Sequence, residues 1–209
     1  MTEETTAAVG SPTIVTHPVR IFVGLKMAPE IASELARIAR ELEGFDVRLV
    51  AADDIHLTLV PPWNEISIPD AINKLRPVAT RFDAFSLTIQ HVGYGPDPRR
   101  PRLLWADCAA TDELAALRAG LLGVYGQTDE RPFRPHVTLA RIRSNGRAIS
   151  RKCPVDRHLF LMQRIESVAL FQSPPPGERG YRTLTTMRLG ETAYSASNSQ
   201  FTVAPKPSG

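Results

Sequence analysis

The chain has 209 residues, of which 43% are hydrophobic and 22% are charged, so it can bury a full core and has the composition of an ordinary globular protein. No apolar run approaches the roughly 18–20 residues of a membrane span, and the N-terminal residues lack the basic start and apolar segment of a secretory signal. A net charge of +3 is too small to indicate a nucleic-acid binder by itself. We therefore expect a cytoplasmic monomer without a membrane partner, in which Cys108 and Cys153 are reduced thiols.

The two ends of the chain differ in composition from its middle. Residues 1–17 are rich in Thr, Ala and Glu and show no periodicity, and residues 190–209 are small and polar. Such segments cannot bury enough apolar surface to order themselves. We predict two disordered tails and one folded domain spanning residues 18–189.

The first half of this domain predicts a strand, a helix and a strand, followed by a second helix and strand. In the first helix, apolar residues recur at helical spacing, Pro29 suits the first turn and Gly44 suits the stop. The predicted elements are a strand at 19–26, a helix at 29–44, a strand at 54–60, a helix at 69–82 and a strand at 84–90.

The second half predicts the same order of elements. Thr111 is a suitable N-cap for a helix whose apolar stripe contains Leu114, Leu117 and Leu121. The predicted elements are a strand at 101–108, a helix at 111–126, a strand at 134–141, a helical stretch at about 147–163, a strand at 166–172 and a closing strand at 181–189.

A short motif recurs at the same place in both halves. "HLTL" begins at His56, which is 36 residues after Arg20 in the first predicted strand (56 − 20). "HVTL" begins at His136, which is 34 residues after Arg102 in the corresponding strand of the second half (136 − 102). The match of both motif and surroundings indicates an internal duplication. We predict an α+β fold of two lobes, with antiparallel sheets flanked by helices around a central cleft.

The motif predicts a specific arrangement of side chains. Because a strand alternates its faces, His56 and Thr58 point to one face, and so do His136 and Thr138. Arg141 would point to the opposite face unless the strand contains a bulge. Two imidazoles and two hydroxyls facing each other across a cleft suit attack at phosphorus, since one imidazole can accept a proton while the other donates one. This chemistry requires neither a metal nor another cofactor.

Two alternative interpretations concern the remaining histidines and the arginines. A zinc site would need a third ligand at metal spacing, which His17, His91 and His158 do not provide, so we assign these three to structural or surface positions. Residues 131–152 contain six arginines and one lysine but no acid. This run is either a solvated basic face or a positive field that attracts a phosphate-bearing ligand.

At these residues the chain resembles the two-histidine (2H) phosphoesterases, and among them the RNA 2′,3′-cyclic phosphodiesterases, once called 2′-5′ RNA ligases. The most specific piece is "RPFRPHVTLAR" at 131–141. The resemblance implies a duplicated two-lobed fold, His56 as proton donor, His136 as proton acceptor, and Thr58, Thr138 and Arg141 as contacts of the substrate phosphate. The chain departs from the family pattern after the first motif, where "VPPW" at 60–63 replaces the usual aromatic-Leu-Gly run.

The resemblance implies a hydrolase that opens 2′,3′-cyclic phosphates at RNA ends to 2′-phosphates. The same chemistry on a small cyclic nucleotide, a non-catalytic RNA-end binding module and a strand-joining activity are alternatives. The motifs specify the phosphate and not the group attached to it. Both histidines and both threonines are intact, which favours turnover over binding alone. Trp63, Tyr94, Phe133 and Tyr181 are the aromatic residues that could stack a base, although individually each is more typical of a core or surface position.

Overall fold

The computed structural model of the chain describes residues 17–190, so the predicted tails at 1–17 and 190–209 lie outside the described residues except for one residue each. Within this part, nine strands and four helices form an α+β fold. The strands are β1 (Val19–Lys26), β2 (Val47–Leu49), β3 (His56–Glu65), β4 (Phe85–Gly95), β5 (Leu103–Cys108), β6 (His136–Ile142), β7 (Asp156–Ile165), β8 (Ser167–Gln172) and β9 (Arg182–Arg188). The helices are α1 (Pro29–Ala39), α2 (Ile68–Ala79), α3 (Asp112–Val124) and α4 (Gly146–Lys152).

The strands form one antiparallel sheet with the order β7-β4-β5-β6-β3-β1-β8-β9, and β2 pairs with β6. Read outward from its centre, the sheet has two equivalent halves, β3-β1-β8-β9 and β6-β5-β4-β7. The halves join through the residue pair Leu57 and Val137. This arrangement confirms the predicted α+β class with antiparallel strands and flanking helices.

The two halves of the sheet do not coincide with the two halves of the sequence. Strand β4 follows the first motif but pairs with β5 of the second repeat, and β8 follows the second motif but pairs with β1 of the first. Each half of the sheet therefore contains strands from both repeats. The strands of the two repeats are thus interleaved in one sheet.

The helices cover the face of the sheet that carries the apolar residues of the two motifs. Leu57, Leu59, Val137 and Leu139 are at most 1% exposed. In α3 the predicted stripe is buried, and the Thr111 hydroxyl accepts a hydrogen bond from the Leu114 backbone N–H at 3.3 Å. Burial of a leucine side chain contributes about 1.5–3 kcal/mol, so these positions anchor both motif strands to the core.

The prediction of a helix at about 147–163 is wrong over most of this range. Helix α4 ends at Lys152, and residues 156–165 form the edge strand β7, which pairs with β4. Pro154 disfavours helical continuation. In β7, Leu159 and Leu161 turn towards the core while Phe160 and Met162 are exposed, so the true period is that of a strand.

Both motif strands contain a β-bulge at the same place. Relative to β5, β6 pairs at Thr138 and Ala140 but not at Leu139, and relative to β1, β3 pairs at Thr58 and Val60 but not at Leu59. Two consecutive buried residues result in each strand. The bulge in β6 shifts the alternation of faces, so exposed Arg141 lies on the same face as His136 and Thr138.

Gly24 permits a close approach of β1 to β3 beside the first motif. It lies opposite Thr58, and a Cβ atom at this position would lie 2.6 Å from the carbonyl oxygen of Leu57 and 3.4 Å from Cδ2 of His56. Only a residue without a side chain fits, since the closest atom belongs to backbone.

We expect Gly24→Ala to lower the free energy of unfolding by about 1–3 kcal/mol, because the added methyl group pushes β1 away from the backbone of β3. Gly123→Ala is the matched control, since a Cβ there meets no atom within 4 Å and alanine in a helix gains about 0.5–1 kcal/mol over glycine. Chemical denaturation of both variants measures the difference. Equal free energies of unfolding of the two variants would show that β1 can move away from β3 without loss of stability.

Candidate active site

The pairing of β3 with β6 brings the two motifs together. The strands are antiparallel and Leu57 lies opposite Val137, so the next positions in this register place His56 opposite Thr138 and Thr58 opposite His136. Directly opposite side chains have Cβ atoms about 4.5–5.5 Å apart. All four point away from the helices, because Leu57 and Val137 between them point into the core. The structure thus brings both imidazoles and both hydroxyls onto one face.

Both imidazoles are held by the same backbone hydrogen bond. Nδ1 of His56 lies 2.6 Å from the carbonyl oxygen of Asp54, and Nδ1 of His136 lies 2.8 Å from the carbonyl oxygen of Arg134. A carbonyl oxygen only accepts, so each Nδ1 carries the hydrogen and donates it. Each Nε2 is then the nitrogen that gains or loses a proton. Nε2 of His56 lies 3.2 Å from the Thr58 hydroxyl.

Aromatic rings surround His56. The centroid of its imidazole lies 4.8 Å from that of Phe22, 5.0 Å from that of Tyr181 and 5.6 Å from that of Phe171. Phe22 and Phe171 are almost fully buried in a small cluster apart from the main core. Neither phenylalanine was predicted from the sequence as part of the site, although strand alternation places Phe22 on the same face of β1 as Gly24, whereas Ile21, Val23 and Leu25 point into the main core.

His136 has different neighbours. Its ring centroid lies 4.4 Å from that of Trp105, and the guanidinium of Arg134 lies over Trp105 at 4.6 Å. Arg134 also donates two hydrogen bonds to the Asp107 carboxylate, at 3.0 and 3.1 Å. Asp107 is the residue of β5 opposite His136. The second imidazole therefore lies between an indole and an ion pair.

Burial lowers the pKa of both histidines from the ordinary value of 6.5. For His136, the hydrogen bond to the Arg134 carbonyl and the charge of Asp107 oppose this effect, whereas the charges of Arg134 and Arg141 add to it. For His56, the hydrogen bond to the Asp54 carbonyl and the charge of Asp54 oppose this lowering of the pKa, whereas the charges of Arg141 and His136 add to it. Arg141 therefore acts electrostatically on both imidazoles.

The arginines of the acid-free stretch fall into two groups. Arg131 and Arg134 form ion pairs with Asp129 and Asp107. Arg141 instead lies directly opposite Arg48 in the β2–β6 pair, and neither forms an ion pair with a carboxylate in the described part of the chain. Like charges directly opposite one another destabilise a sheet, and an anion between them would relieve the repulsion.

A cavity of about 100 Å³ lies beside His56. Arg48, Asp54, Arg179 and Tyr181 are among its lining residues. The Tyr181 backbone N–H donates to the Asp54 carboxylate at 2.8 Å, so the residue that orients His56 also holds the wall of this cavity. The lining also includes the Glu178 carboxylate, so the cavity carries charges of both signs, and its Arg48 lies opposite Arg141 in the β2–β6 pair.

The other residues singled out from the sequence contact different partners. Trp63 packs on Tyr125, the Tyr94 hydroxyl donates to the Cys153 carbonyl, and Phe133 lies under Arg118. His91 bonds Asp156 at 2.6 Å and packs against His158. Within residues 17–190, no three His, Cys, Asp or Glu side chains converge in a way that could hold a metal ion. No helix in this range is both long and apolar enough to cross a membrane.

Known proteins resemble this chain in sequence and in fold. The family model described as the 2′-5′ RNA ligase superfamily matches residues 50–152, which include both motifs. A protein of Aeropyrum pernix named RNA 2′,3′-cyclic phosphodiesterase is 31% identical over 121 residues, which cover 54% of this chain and 68% of that protein. A protein of the same name from Archaeoglobus fulgidus is 26% identical over 130 residues, which cover 59% of this chain and 73% of that protein.

The fold is also similar to that of a solved structure. The crystal structure of E. coli LigT complexed with 3′-AMP superposes with a TM-score of 0.67 over 83% of this chain and 99% of that one. The two sequences are 24% identical, so this likeness concerns the fold.

We expect Arg141→Ala to raise the pKa of both histidines, because it removes a positive charge that disfavours both imidazolium ions. Titration of the imidazole resonances by NMR measures each pKa separately. Arg143→Ala removes the same charge from an exposed position beyond the end of β6 and should leave both values unchanged. A shift confined to one histidine would place Arg141 beside that histidine only.

Proposed function

The chain belongs to the 2′-5′ RNA ligase superfamily, and on that premise we propose that it hydrolyses 2′,3′-cyclic phosphates at RNA ends to 2′-phosphates, with His56 and His136 as acid and base. The observation that carries this proposal is the pairing of β3 with β6, which places each histidine opposite the threonine of the other motif. Relatives named RNA 2′,3′-cyclic phosphodiesterases support the reaction class.

The proposed reaction uses the two Nε2 atoms. Neutral His136 accepts a proton from water as the water oxygen attacks phosphorus, and protonated His56 donates its Nε2 proton to the 3′-oxygen as the bond between phosphorus and that oxygen breaks. The products are a 2′-phosphate and a 3′-hydroxyl. One proton is taken from water and one is given to the leaving oxygen, so the two histidines exchange protonation states and proton exchange with solvent restores them.

The two threonines and Arg141 stabilise the phosphoryl oxygens in this scheme. Thr58 and Thr138 donate hydroxyl hydrogen bonds to the non-bridging oxygens, and Arg141 opposes their negative charge. The Thr58 hydroxyl lies 3.2 Å from Nε2 of His56, so a phosphate that accepts from this hydroxyl also lies within reach of that nitrogen. The Arg48–Arg141 pair supports phosphate as the ligand, because an anion removes its repulsion.

The electrostatics of the site are compatible with this division of roles. Burial keeps His136 neutral near neutral pH, as a base must be. Burial also disfavours the charged form of His56, but the negative phosphate bound beside it favours that form. Asp107 forms an ion pair with Arg134, and the positive charge of Arg134 offsets the effect of the Asp107 carboxylate on His136. The carboxylate therefore does not hold this imidazole in its protonated form.

The donor set favours acid–base catalysis over metal catalysis. Imidazole, hydroxyl and guanidinium groups line the motif face, and the Asp107 carboxylate opposite His136 is paired with Arg134. Mg²⁺ and Ca²⁺ prefer carboxylate and carbonyl oxygens, and catalytic zinc needs three protein ligands. Every proton transfer in the scheme has a named side chain. We therefore propose that turnover does not depend on a metal ion.

The activity is tested with an RNA decanucleotide that ends in a 2′,3′-cyclic phosphate. We expect conversion to the 2′-phosphate at the same rate with and without excess chelator, and loss of conversion when both His56 and His136 are replaced by Ala. The products are identified by mass spectrometry and by their sensitivity to a phosphatase that acts on 2′-phosphates. Formation of a 3′-phosphate, or restoration of activity by zinc or manganese after chelation, would contradict the proposal.

The roles of the two histidines are separated by their single variants. We expect His56→Ala and His136→Ala each to lower kcat by about 10²–10⁴-fold. In the wild type, the form with one charged and one neutral imidazole is most populated between the two pKa values, and both lie below 6.5. The maximum of kcat/KM should therefore lie below pH 6.5. The His136 variant should lack the low-pH limb and the His56 variant the high-pH limb.

A substrate with a better leaving group sharpens this assignment, since its leaving oxygen needs less help from an acid. Such a substrate should rescue His56→Ala far more than His136→Ala. The reverse pattern would make His136 the donor and His56 the acceptor. Full activity of both variants would remove the histidines from the mechanism.

A further inference from the structure

A second positively charged feature lies outside the motif face. An open groove of about 760 Å³ is lined by residues 98–101, in the loop between β4 and β5, and by residues 144–147 and 150–151, at and within α4. Its lining contains four arginines and no acid: Arg99, Arg100, Arg147 and Arg151. None of these four forms an ion pair with a carboxylate within residues 17–190. The groove therefore concentrates positive charge without a counter-ion from the protein.

The walls of this groove are held in place by local contacts. Gly146 packs so closely on Pro101 that a Cβ atom would overlap the Pro101 carbonyl oxygen. The Asn145 side chain accepts from the Ala148 backbone N–H at 3.1 Å, and the Asp97 carboxylate accepts from the Arg99 backbone N–H at 2.9 Å. Asp97 is thus engaged with backbone, and the loop and helix form a preformed groove.

Strand β6 connects the groove to the proposed active site. Beyond the bulge, Arg141 and Arg143 are exposed and separated by the inward-facing Ile142, so both lie on the face that carries His136. Ser144, which lines the groove, follows directly. From His136 to Ser144 is eight residues (144 − 136), or about 26 Å at 3.3 Å per residue. A continuous basic path therefore runs from the motif face into the groove.

We propose that this groove binds the phosphodiester backbone of an RNA strand whose cyclic-phosphate end lies at the two histidines. The inference rests on the proposed function and defines its substrate as a strand of several nucleotides rather than a mononucleotide. At a rise of about 3.4 Å per stacked nucleotide, the path of about 26 Å from His136 to the groove spans about eight nucleotides. Guanidinium groups bind phosphates through paired hydrogen bonds, and a groove lined by several of them matches a polymer with a charge at every residue.

The test measures RNA binding and mononucleotide hydrolysis separately. Binding of a single-stranded decanucleotide with a 2′-phosphate end and of the corresponding dinucleotide is followed by fluorescence anisotropy at several salt concentrations. Hydrolysis of a 2′,3′-cyclic mononucleotide is measured in parallel. The groove variants are Arg147→Ala/Arg151→Ala and Arg99→Ala/Arg100→Ala. The matched control is Arg76→Ala/Arg81→Ala, which removes two exposed charges at and just after α2, on the helix-covered side of the sheet.

Each groove variant should bind the decanucleotide about 25-fold more weakly at 0.1 M salt, and the slope of log affinity against log salt should decrease by about 1.4, because two contacts with a single strand are lost at about 0.7 each. Dinucleotide binding and mononucleotide hydrolysis should equal those of the wild type, and the control should match the wild type throughout.

Unchanged decanucleotide binding and an unchanged salt slope in both groove variants would overturn the inference and leave the arginines to another partner, such as an acidic protein. Equal losses for dinucleotide and decanucleotide would overturn it as well. Failure of the proposed function has a different signature, which is the absence of cyclic mononucleotide and RNA-end hydrolysis in the wild type. The binding measurement decides the inference in either case.

Discussion

The single antiparallel pair between Leu57 and Val137 is the constraint on which the rest of the site depends. Side chains in a sheet alternate between faces, so a slip of one residue between β3 and β6 would set each histidine beside an apolar residue instead of a threonine. Burial of Leu57 and Val137 under the helices makes such a slip costly. The core packing on one side of the sheet thereby maintains the geometry on the other.

The duplicated framework supports two different chemical environments. Both histidines follow the same backbone rule, since each donates from Nδ1 to the carbonyl two residues earlier, and both motif strands contain a bulge after the threonine. The surroundings then diverge. Aromatic rings enclose His56, whereas an indole and an ion pair flank His136. After the bulge, Pro61 stands in the first strand where Arg141 stands in the second. An identical motif can therefore take unequal roles, because the neighbours that set charge and solvation are not repeated.

The positive charge of the chain indicates a ligand site only once the folded structure shows which basic residues form ion pairs. Residues 131–152 contain seven basic residues and no acid, which indicates a basic surface. Carboxylates elsewhere in the chain neutralise part of this charge, since Asp107 binds Arg134, which is 27 residues away in the sequence (134 − 107). Within residues 17–190, the arginines of this stretch that form no ion pair with a carboxylate lie on the motif face and in the groove beyond it: Arg141, Arg143, Arg147 and Arg151. The useful quantity is the charge that the fold leaves uncompensated, since this charge meets a ligand.

The sequence by itself determined the features that depend on local periodicity. Alternation placed His56 with Thr58 and His136 with Thr138, helical spacing identified the buried stripe of α3, and the repeated order of elements predicted the duplicated α+β fold. Periodicity failed where a short apolar run fits either period, so β7 was taken for a helix.

Only the tertiary structure decided which strands pair. This pairing also sets the crossing of β4 and β8 between repeats and the contacts of Phe22, Phe171 and Tyr181 with His56. The bulge that returns Arg141 to the motif face was likewise conditional in the sequence, because it arises from the mismatch between β6 and its neighbour. These features depend on contacts between residues far apart in the chain, and a local pattern contains no information on which distant surface it will meet.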